Sequence, residues 1–282
     1  MPKSENGKKI TKTGLFEAIK TVENAGYFVT REPLQRDYTF NLDVSQDDND
    51  IYRIGFVSDT HLCSKYQQLE NLYKFYGLCD EMDIKTVIHA GDICDGIGVY
   101  KGHEFEVFKN GADEICDYVC KNYPKFKGIT TQLLCGNHDE SIYKRAGMDI
   151  GKAISSKRSD IIHRGFYAVT FLIDGVRMAV HHGRGNGAYA RSYKSQKLAE
   201  ALVSDHPDKN PDIAVLGHFH SVNILPNYMN MAMIQMPCFQ DQTPLGKQIG
   251  RMPDIAGIII EILPGHIPRF IYSNYTSIKE DY

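Results

Sequence analysis

Five short segments of the sequence place aspartate, asparagine or histidine beside glycine or directly after a strand-like run. They are Asp59-Thr60-His61, Gly91-Asp92 with Asp95, Gly136-Asn137-His138-Asp139, His181-His182-Gly183 and Gly217-His218-Phe219-His220. Carboxylate, amide and imidazole groups together suit manganese, iron or zinc better than magnesium or calcium. The five segments therefore predict a centre for divalent transition metals.

Each segment alone has a simpler explanation, because aspartate, asparagine and glycine are common turn residues. Successive side chains of a strand point to opposite faces, so at most one of His181 and His182 can reach a common site. Five such segments in order, each at the end of a strand, favour a site over a series of turns. Sites in α/β folds are built where strands end at their carboxyl side.

The elements that must position these residues alternate between strand-like and helical segments. Apolar and β-branched runs predict strands at 51–58, 86–91, 128–134, 166–173, 176–182, 212–218, 231–237 and 255–262. Helical spacing predicts helices over 67–82, 104–121, 142–155 and 189–203. This order predicts an α/β sandwich with helices covering both outer faces.

The first 48 residues predict a small separate module. Leu15, Ile19 and Val22 have helical spacing, strand-like runs follow at 27–32 and 38–44, and the acidic stretch 43–50 predicts a linker. A helix followed by a β-ribbon is compatible with part of a winged-helix unit, and equally with an elaboration packed on the main domain. We therefore divide the chain into 1–48 and a main domain at 49–282.

The composition is that of an ordinary globular protein. A net charge of -3 gives no global attraction to DNA or to an anionic membrane, although a local basic patch would suffice for nucleic acid. The 7 cysteines show no paired spacing, which predicts reduced core thiols and a cytoplasmic location. The longest apolar run, at 255–263, is too short to span a bilayer, so no membrane association is expected.

The five segments resemble the DxH, GDxxD, GNHD, HG and GHxH motifs of calcineurin-like metallophosphoesterases, over residues 52–262. The resemblance implies a four-layer α/β sandwich of two mixed β-sheets flanked by helices. By similarity, one metal is held by Asp59, His61, Asp92 and His220. The other is held by Asp92, Asn137, His182 and His218, so that Asp92 bridges the pair.

The resemblance also implies a mechanism. Two divalent transition metals, foremost Mn²⁺ with iron, zinc or nickel as alternatives, would share a bridging hydroxide that attacks phosphorus. His138 would act as the general acid and Asp95 would hold its ring. The alternative is that His138 only supports a neighbouring group.

The stretch GDICDGIGVYKGHE narrows the resemblance. Protein phosphatases of the family carry arginine where Gly96 stands, and the double-strand-break nucleases have histidine where Asp95 stands. The stretch is most similar to the exonuclease small subunit of archaeal family D DNA polymerase. Stand-alone phosphoesterases of phages are similar too, including the segment Phe239–Pro244.

Basic and tyrosine side chains could bind a substrate, because cations neutralise phosphates while tyrosines stack on bases. The candidates are Arg184, Tyr189, Arg191, Tyr193 and Lys194, together with Tyr100, Lys101 and His103 of one loop. Their simpler explanations are a solvated helix and a solvated loop. We expect a DNA nuclease, either a 3′-to-5′ exonuclease or a single-strand nuclease. We also expect it to bind a protein of replication or repair. The alternatives are hydrolysis of small or cyclic nucleotides and a non-enzymatic scaffold.

Overall fold

A computed structural model describes residues 20–21, 39–44, 46–205 and 210–276. The chain divides into two compact units, Met1–Asp37 and Tyr38–Tyr282. In the first unit Lys20 and Thr21 are helical, and the remainder of the predicted helix, the strand-like run at 27–32 and the winged-helix hypothesis lie outside the described residues. Strands and helices are numbered below within the second unit.

One mixed sheet of the second unit has six strands in the order β12-β11-β2-β3-β4-β5. Its strands are β2 Tyr52–Val57, β3 Thr86–Ala90, β4 Thr130–Cys135, β5 Ile161–Phe166, β11 Ala256–Ile262 and β12 Arg269–Asn274. Strands β2 to β5 are parallel, while β11 is antiparallel to both β2 and β12. The carboxyl ends of β2, β3 and β4 therefore lie at the same edge.

The second mixed sheet also has six strands, in the order β1-β6-β7-β8-β10-β9. They are β1 Thr39–Asn41, β6 Ala168–Ile173, β7 Val176–His182, β8 Ile213–Gly217, β9 Asn223–Tyr228 and β10 Met231–Gln235. Strands β7 and β8 are parallel neighbours, so the histidine segments that follow them emerge side by side.

The described helices of this unit are α1 Leu69–Glu81, α2 Ala112–Asn122, α3 Asn137–Ala146, α4 Ile150–Lys157, α5 Tyr193–Asp205 and α6 Pro244–Gln248, with a 3-10 turn at His103–Phe105. Helix α2 begins later than predicted, since Gly111 is its N-cap. The predicted helix 142–155 is two helices, because Gly147 ends α3 in the left-handed region at φ 70°.

Three layers of buried side chains hold the fold together. Phe75 of α1 and Ile115 of α2 belong to a core on one face of the first sheet, and Phe56 of β2 packs with Phe171 of β6 in a core between the sheets. A smaller cluster joins Ala199 of α5 to the outer face of the second sheet. Helix, sheet, sheet and helix thus form four layers, which confirms the predicted fold class.

Strand β1 belongs to the second unit, because it pairs with β6 and Leu42 N donates to the oxygen of Leu172 over 2.9 Å. Phe40 lies on Phe171, with ring centroids 6.4 Å apart. The boundary predicted at residue 48 therefore lies inside the second unit, and the run at 38–44 is a sheet edge rather than half of a separate ribbon.

Two further observations concern the cysteines and the apolar segments. All 7 cysteines are free thiols, and each is buried or half-buried. Within the described part of the chain, no helix combines the length and the apolar character needed to cross a bilayer.

Candidate metal centre

The five predicted segments converge at one edge of the sandwich. The segments after β2, β3 and β4 leave the first sheet there, and those after β7 and β8 leave the second sheet. The two sheets meet directly, since Nδ1 of His182 lies 2.8 Å from the backbone oxygen of Ala90. Residues far apart in the sequence are thereby brought within hydrogen-bonding range.

Several site residues have a backbone conformation that is costly for residues with a side chain. The φ angles are 52° at Asp59, 44° at His61, 56° at Asp92, 90° at His218 and 55° at His220. Each such residue costs about 1–3 kcal/mol, and strain of this kind concentrates at functional sites. The tight turns aim carboxylates and imidazoles inward, where a regular strand end would release them to solvent.

The first cluster consists of Asp59, His61 and His220. Nε2 of His220 lies 3.2 Å from Oδ1 of Asp59 and 3.1 Å from Nε2 of His61. Nδ1 of His61 faces Oδ1 of Asp95 at 2.8 Å, which places the ring proton there and leaves the lone pair on Nε2.

Asp59 provides a direct test of whether a cation fits. Its Oδ2 accepts hydrogen bonds from Ser58 and from the backbone nitrogen of His218. Its Oδ1 is buried and has no hydrogen-bond partner within the described structure. Burying a carboxylate oxygen without a hydrogen-bond donor costs free energy. A cation beside Oδ1 of Asp59 would offset that cost, and Nε2 of His61 and of His220 could bind the same cation.

The second cluster consists of Asp92, His182 and His218, with Asn137 beside it. Nε2 of His182 lies 3.1 Å from Oδ2 of Asp92 and 3.2 Å from Oδ1 of Asn137. Nε2 of His218 is 2.7 Å from the backbone oxygen of Gly185, which leaves Nδ1 as the nitrogen able to bind a metal. Alternation along β7 directs His182 into this cluster and His181 to the opposite face.

Asp92 lies between the two clusters. Its Oδ2 is 3.1 Å from Nε2 of His182 and 4.0 Å from Nε2 of His61. Its Oδ1 accepts a hydrogen bond of 2.8 Å from the backbone nitrogen of His138, which fixes the carboxylate plane. Asp92 can therefore offer an oxygen to ions on both sides.

The electrostatics of the clusters favour cations. Burial alone would lower the pKa of His182, but the carboxylate of Asp92 raises it to about 9. Burial also opposes ionisation of Asp92, yet the surrounding imidazoles hold the pKa of that carboxyl below its ordinary value. A metal ion binds neutral imidazole, so a metal at the second cluster would compete with a proton for Nε2 of His182.

Asp95 connects the first cluster to His138. Nδ1 of His138 lies 2.7 Å from the backbone oxygen of Asp95 and 3.2 Å from its carboxylate oxygen Oδ1. The same Oδ1 faces His61 at 2.8 Å. The ring of His138 is therefore held mainly by the backbone of Asp95, while the carboxylate is shared with His61.

Two further residues lie beside Asp95: His103, which the sequence suggested only as a residue lining the substrate cleft, and Gln240, to which it gave no role. His103 is fully buried, its Nε2 is 3.5 Å from Oδ2 of Asp95, and that nitrogen has no hydrogen-bond partner within the described structure. Nε2 of Gln240 lies 3.4 Å from Oδ1 of Asp95. The only sequence signal for either residue is its position within the stretches GDICDGIGVYKGHE and FQDQTP.

Asp139, the last residue of the GNHD segment, ties two of the loops together. It is buried and accepts hydrogen bonds from the backbone nitrogens of Gly136, Ile93 and Cys94. Burial raises the pKa of its carboxyl to about 6. Asp139 thus holds the loop after β3 and the loop after β4 together through hydrogen bonds, next to the two clusters.

Five of the loop and helix residues predicted to bind substrate line three separate cavities, and Tyr193, Lys101 and His103 line none of the three. Tyr100 lines the cavity of 80 Å³ over the clusters, where His138 and Arg251 are also found. Arg184 lines a cleft of 530 Å³ next to Asn137. Tyr189, Arg191 and Lys194 line a third cleft of 380 Å³. Tyr193 is exposed with Lys197 5.9 Å from its ring, and Lys101 is exposed.

Comparisons with known proteins identify relatives of this chain by sequence. The DNA polymerase II small subunit of Methanothermobacter thermautotrophicus is 25% identical over 243 residues, covering 72% of this chain and 50% of that protein. The corresponding subunit of Methanocaldococcus jannaschii is 24% identical over 277 residues, covering 84% of this chain and 46% of that protein. The chain spans about half the length of the curated relatives it matches.

Among solved structures, Vps29 of Entamoeba histolytica complexed with zinc covers 79% of this chain and 98% of its own, with 14% identity and a TM-score of 0.41. A sequence profile described as the calcineurin-like phosphoesterase superfamily domain matches residues 52–230. That match covers most of the chain and all five segments of the site. The chain belongs to the calcineurin-like phosphoesterase superfamily.

Proposed function

We propose that the chain is a two-metal phosphodiesterase that acts on nucleic acid, with single-stranded DNA as its preferred substrate. The observation that carries this proposal is the position of Asp92 between two Asp/His clusters. When bound, a pair of divalent cations supplies an activated water and several kcal/mol of charge stabilisation in the transition state. One ion would be held by Asp59, His61, Asp92 and His220, and the other by Asp92, Asn137, His182 and His218.

His138 is proposed as the general acid. Its Nδ1 is engaged by Asp95, so Nε2 is the nitrogen available to the cavity that this ring lines. Burial disfavours the charged ring, but the carboxylates of Asp92 and Asp95 outweigh it and raise the pKa of His138 above its ordinary value. A proton held on Nε2 can pass to the leaving oxygen of the phosphodiester.

The preference for nucleic acid rests on two observations. The curated relatives are small subunits of a DNA polymerase, a name that implies synthesis of DNA and a larger partner subunit. Cationic and tyrosine side chains line the clefts that adjoin the metal cavity.

Mn²⁺ is the proposed ion, since mixed imidazole and oxygen ligands suit it. A replicative polymerase subunit is the proposed partner.

The test compares substrates on the full chain loaded with Mn²⁺. Single-stranded and duplex DNA, RNA, a cyclic dinucleotide and bis-p-nitrophenyl phosphate are assayed with wild type, with Asp59→Asn, and with Asp113→Asn on the exposed face of α2 as the matched control. We expect cleavage of bis-p-nitrophenyl phosphate and single-stranded DNA, abolished by chelation and by Asp59→Asn only. Cleavage of the cyclic dinucleotide alone would favour the small-nucleotide alternative. A metal-loaded protein inert on every phosphodiester would favour a scaffold.

A further inference from the structure

The metal cavity adjoins two larger clefts. On one side it shares His218 with the cleft of 530 Å³, which we call the Lys144 cleft after Lys144, Arg145 and Arg184. On the other side it shares Ile249 and Arg251 with the cleft of 380 Å³, which we call the Tyr189 cleft after Tyr189, Arg191 and Lys194. Because the two clefts share different wall residues with the metal cavity, a chain-like ligand bound at the metals meets an adjoining cleft at two separate places.

The Lys144 cleft carries an excess of positive charge. Nζ of Lys144 lies 2.5 Å from Oε2 of Glu140, and Arg184 lies 3.4 Å from the same oxygen, so two cations share one carboxylate. Arg145 donates to the backbone oxygen of Gly98, which bears no charge. The side chains of Lys144, Arg145 and Arg184 are exposed, so they can reach an anion without being unpacked.

The Tyr189 cleft combines cations with exposed apolar surface. Arg191 pairs with Asp254 over 3.1 Å, and Nζ of Lys194 lies 5.7 Å from the ring centre of Phe219. Tyr189 is fully exposed, and Met252 has 66% of its surface exposed. Exposed rings beside cations are the usual platform for stacked bases, and each stacked base contributes about 1–3 kcal/mol.

The size of the metal cavity argues against a compact ligand. Its 80 Å³ is well below the roughly 300–1,000 Å³ of pockets that enclose small molecules. A nucleic-acid strand repeats its phosphate at every nucleotide, so it can place one phosphate at the metals and others in both clefts.

We infer that single-stranded nucleic acid crosses the metal centre from the Lys144 cleft to the Tyr189 cleft, so that the chain cleaves within a strand and needs no free end. The inference rests on the proposed function. Water adds across one internal P–O bond, leaving a phosphomonoester on one side of the break and a hydroxyl on the other. The strand bound on both sides then dissociates as two ends.

Circular single-stranded DNA tests this inference, because a circle has no end. The full chain with Mn²⁺ is given the circle and the same sequence in linear form, and products are resolved on a denaturing gel. We expect the circle to be opened at a rate within about tenfold of linear cleavage, since both forms fill both clefts. If the linear strand is shortened from one end while the circle stays intact, the inference is overturned and the proposed function stands. Inert circles and inert linear strands would instead reject the proposed function.

Variants on each side show whether both clefts are used. Lys144→Ala with Arg145→Ala, and separately Arg191→Ala with Lys194→Ala, should each lower circle opening relative to hydrolysis of bis-p-nitrophenyl phosphate by roughly tenfold or more. The slope of log rate against log salt should fall by about one for each phosphate that the variant no longer neutralises. Lys74→Ala with Lys152→Ala removes two exposed lysines of α1 and α4 and should leave the ratio unchanged. A ratio unaffected by either cleft variant would refute passage through that cleft.

Discussion

Replacing Gly136 with alanine tests how closely the loops pack around Asp92. A Cβ atom at Gly136 would lie 2.3 Å from Oδ1 of Asp92 and 2.6 Å from Cδ2 of His182, where ordinary contacts begin at 3.4 Å. The backbone of Gly136, at φ -109° and ψ -159°, is extended and open to alanine without strain. The steric overlap therefore falls on the carboxylate and the imidazole, and folding should be little affected.

The size of the effect follows from the displacement required. Relief of the overlap moves the Asp92 carboxylate by about 1 Å, and a misplacement of that size at a reacting centre costs about 100-fold in rate. The movement also disturbs the hydrogen bond of 2.8 Å from the backbone nitrogen of His138. We expect metal affinity to fall by about 10–100-fold, the range for losing support of a ligand, and turnover of bis-p-nitrophenyl phosphate to fall by about 100-fold.

The assay measures Mn²⁺ binding by calorimetry alongside turnover and the melting temperature. Gly77→Ala is the matched control, because Gly77 lies in helix α1 with nothing within 4 Å of an added Cβ. Alanine should stabilise that helix by about 0.5–1 kcal/mol and leave metal binding unchanged. A Gly136→Ala protein that binds Mn²⁺ and turns over like wild type would refute the crowded geometry around Asp92.

Three further predictions concern the acid, its support and the domain boundary. His138→Ala should keep both metals and lose about two to four orders of magnitude on DNA, but less on bis-p-nitrophenyl phosphate, whose nitrophenolate leaves unprotonated; equal losses would show that His138 positions phosphate instead. His103→Ala should weaken Mn²⁺ binding by about 10–100-fold in calorimetry, because the carboxylate of Asp95 is no longer held in place beside His61. His103→Gln should recover part of that loss. Equal losses in the two variants would indicate that His103 only fills space in the core. Removal of residues 1–37 should leave the second unit folded in calorimetry. Removal of residues 1–48 should lower the free energy of unfolding by about 2–3 kcal/mol, because β1 and Leu42 no longer cover apolar surface. Equal melting temperatures of the two shortened proteins would contradict this boundary.

The central strands could be predicted because they are buried on both faces. Strand β8 therefore appears in the sequence as a continuous apolar run, and β2 and β3 are mostly apolar runs interrupted by Arg53 and His89. The strands that were not predicted are β5, β9 and β12, and all three lie at sheet edges. Edge strands are half-solvated, so Arg164 in β5 and Pro226 in β9 interrupt the pattern that identifies a strand.

The site residues also divide into those that a short sequence motif predicts and those that only the folded structure brings together. The predicted ligands are each part of a short motif at a strand end, so their residue types and spacing could be read directly. His103, Gln240 and Arg251 carry no such motif. Only the folded chain brings Gln240 and Arg251, on the segments that flank α6, to the metal cavity, and the 3-10 turn with His103 to Asp95. Burial of His103 beside Asp95 is a property of the folded chain, which no local pattern encodes.

The central claim is that Asp92 serves two ions at once. Electron paramagnetic resonance of the full chain during titration with Mn²⁺ tests it most directly, because two ions about 3.5–4 Å apart couple magnetically and isolated ions do not. We predict that the spectrum of a coupled pair grows as two equivalents bind, and that Asp92→Asn removes the coupled spectrum while Asp113→Asn keeps it. Saturation at one equivalent, or two uncoupled ions in wild type, would contradict the account.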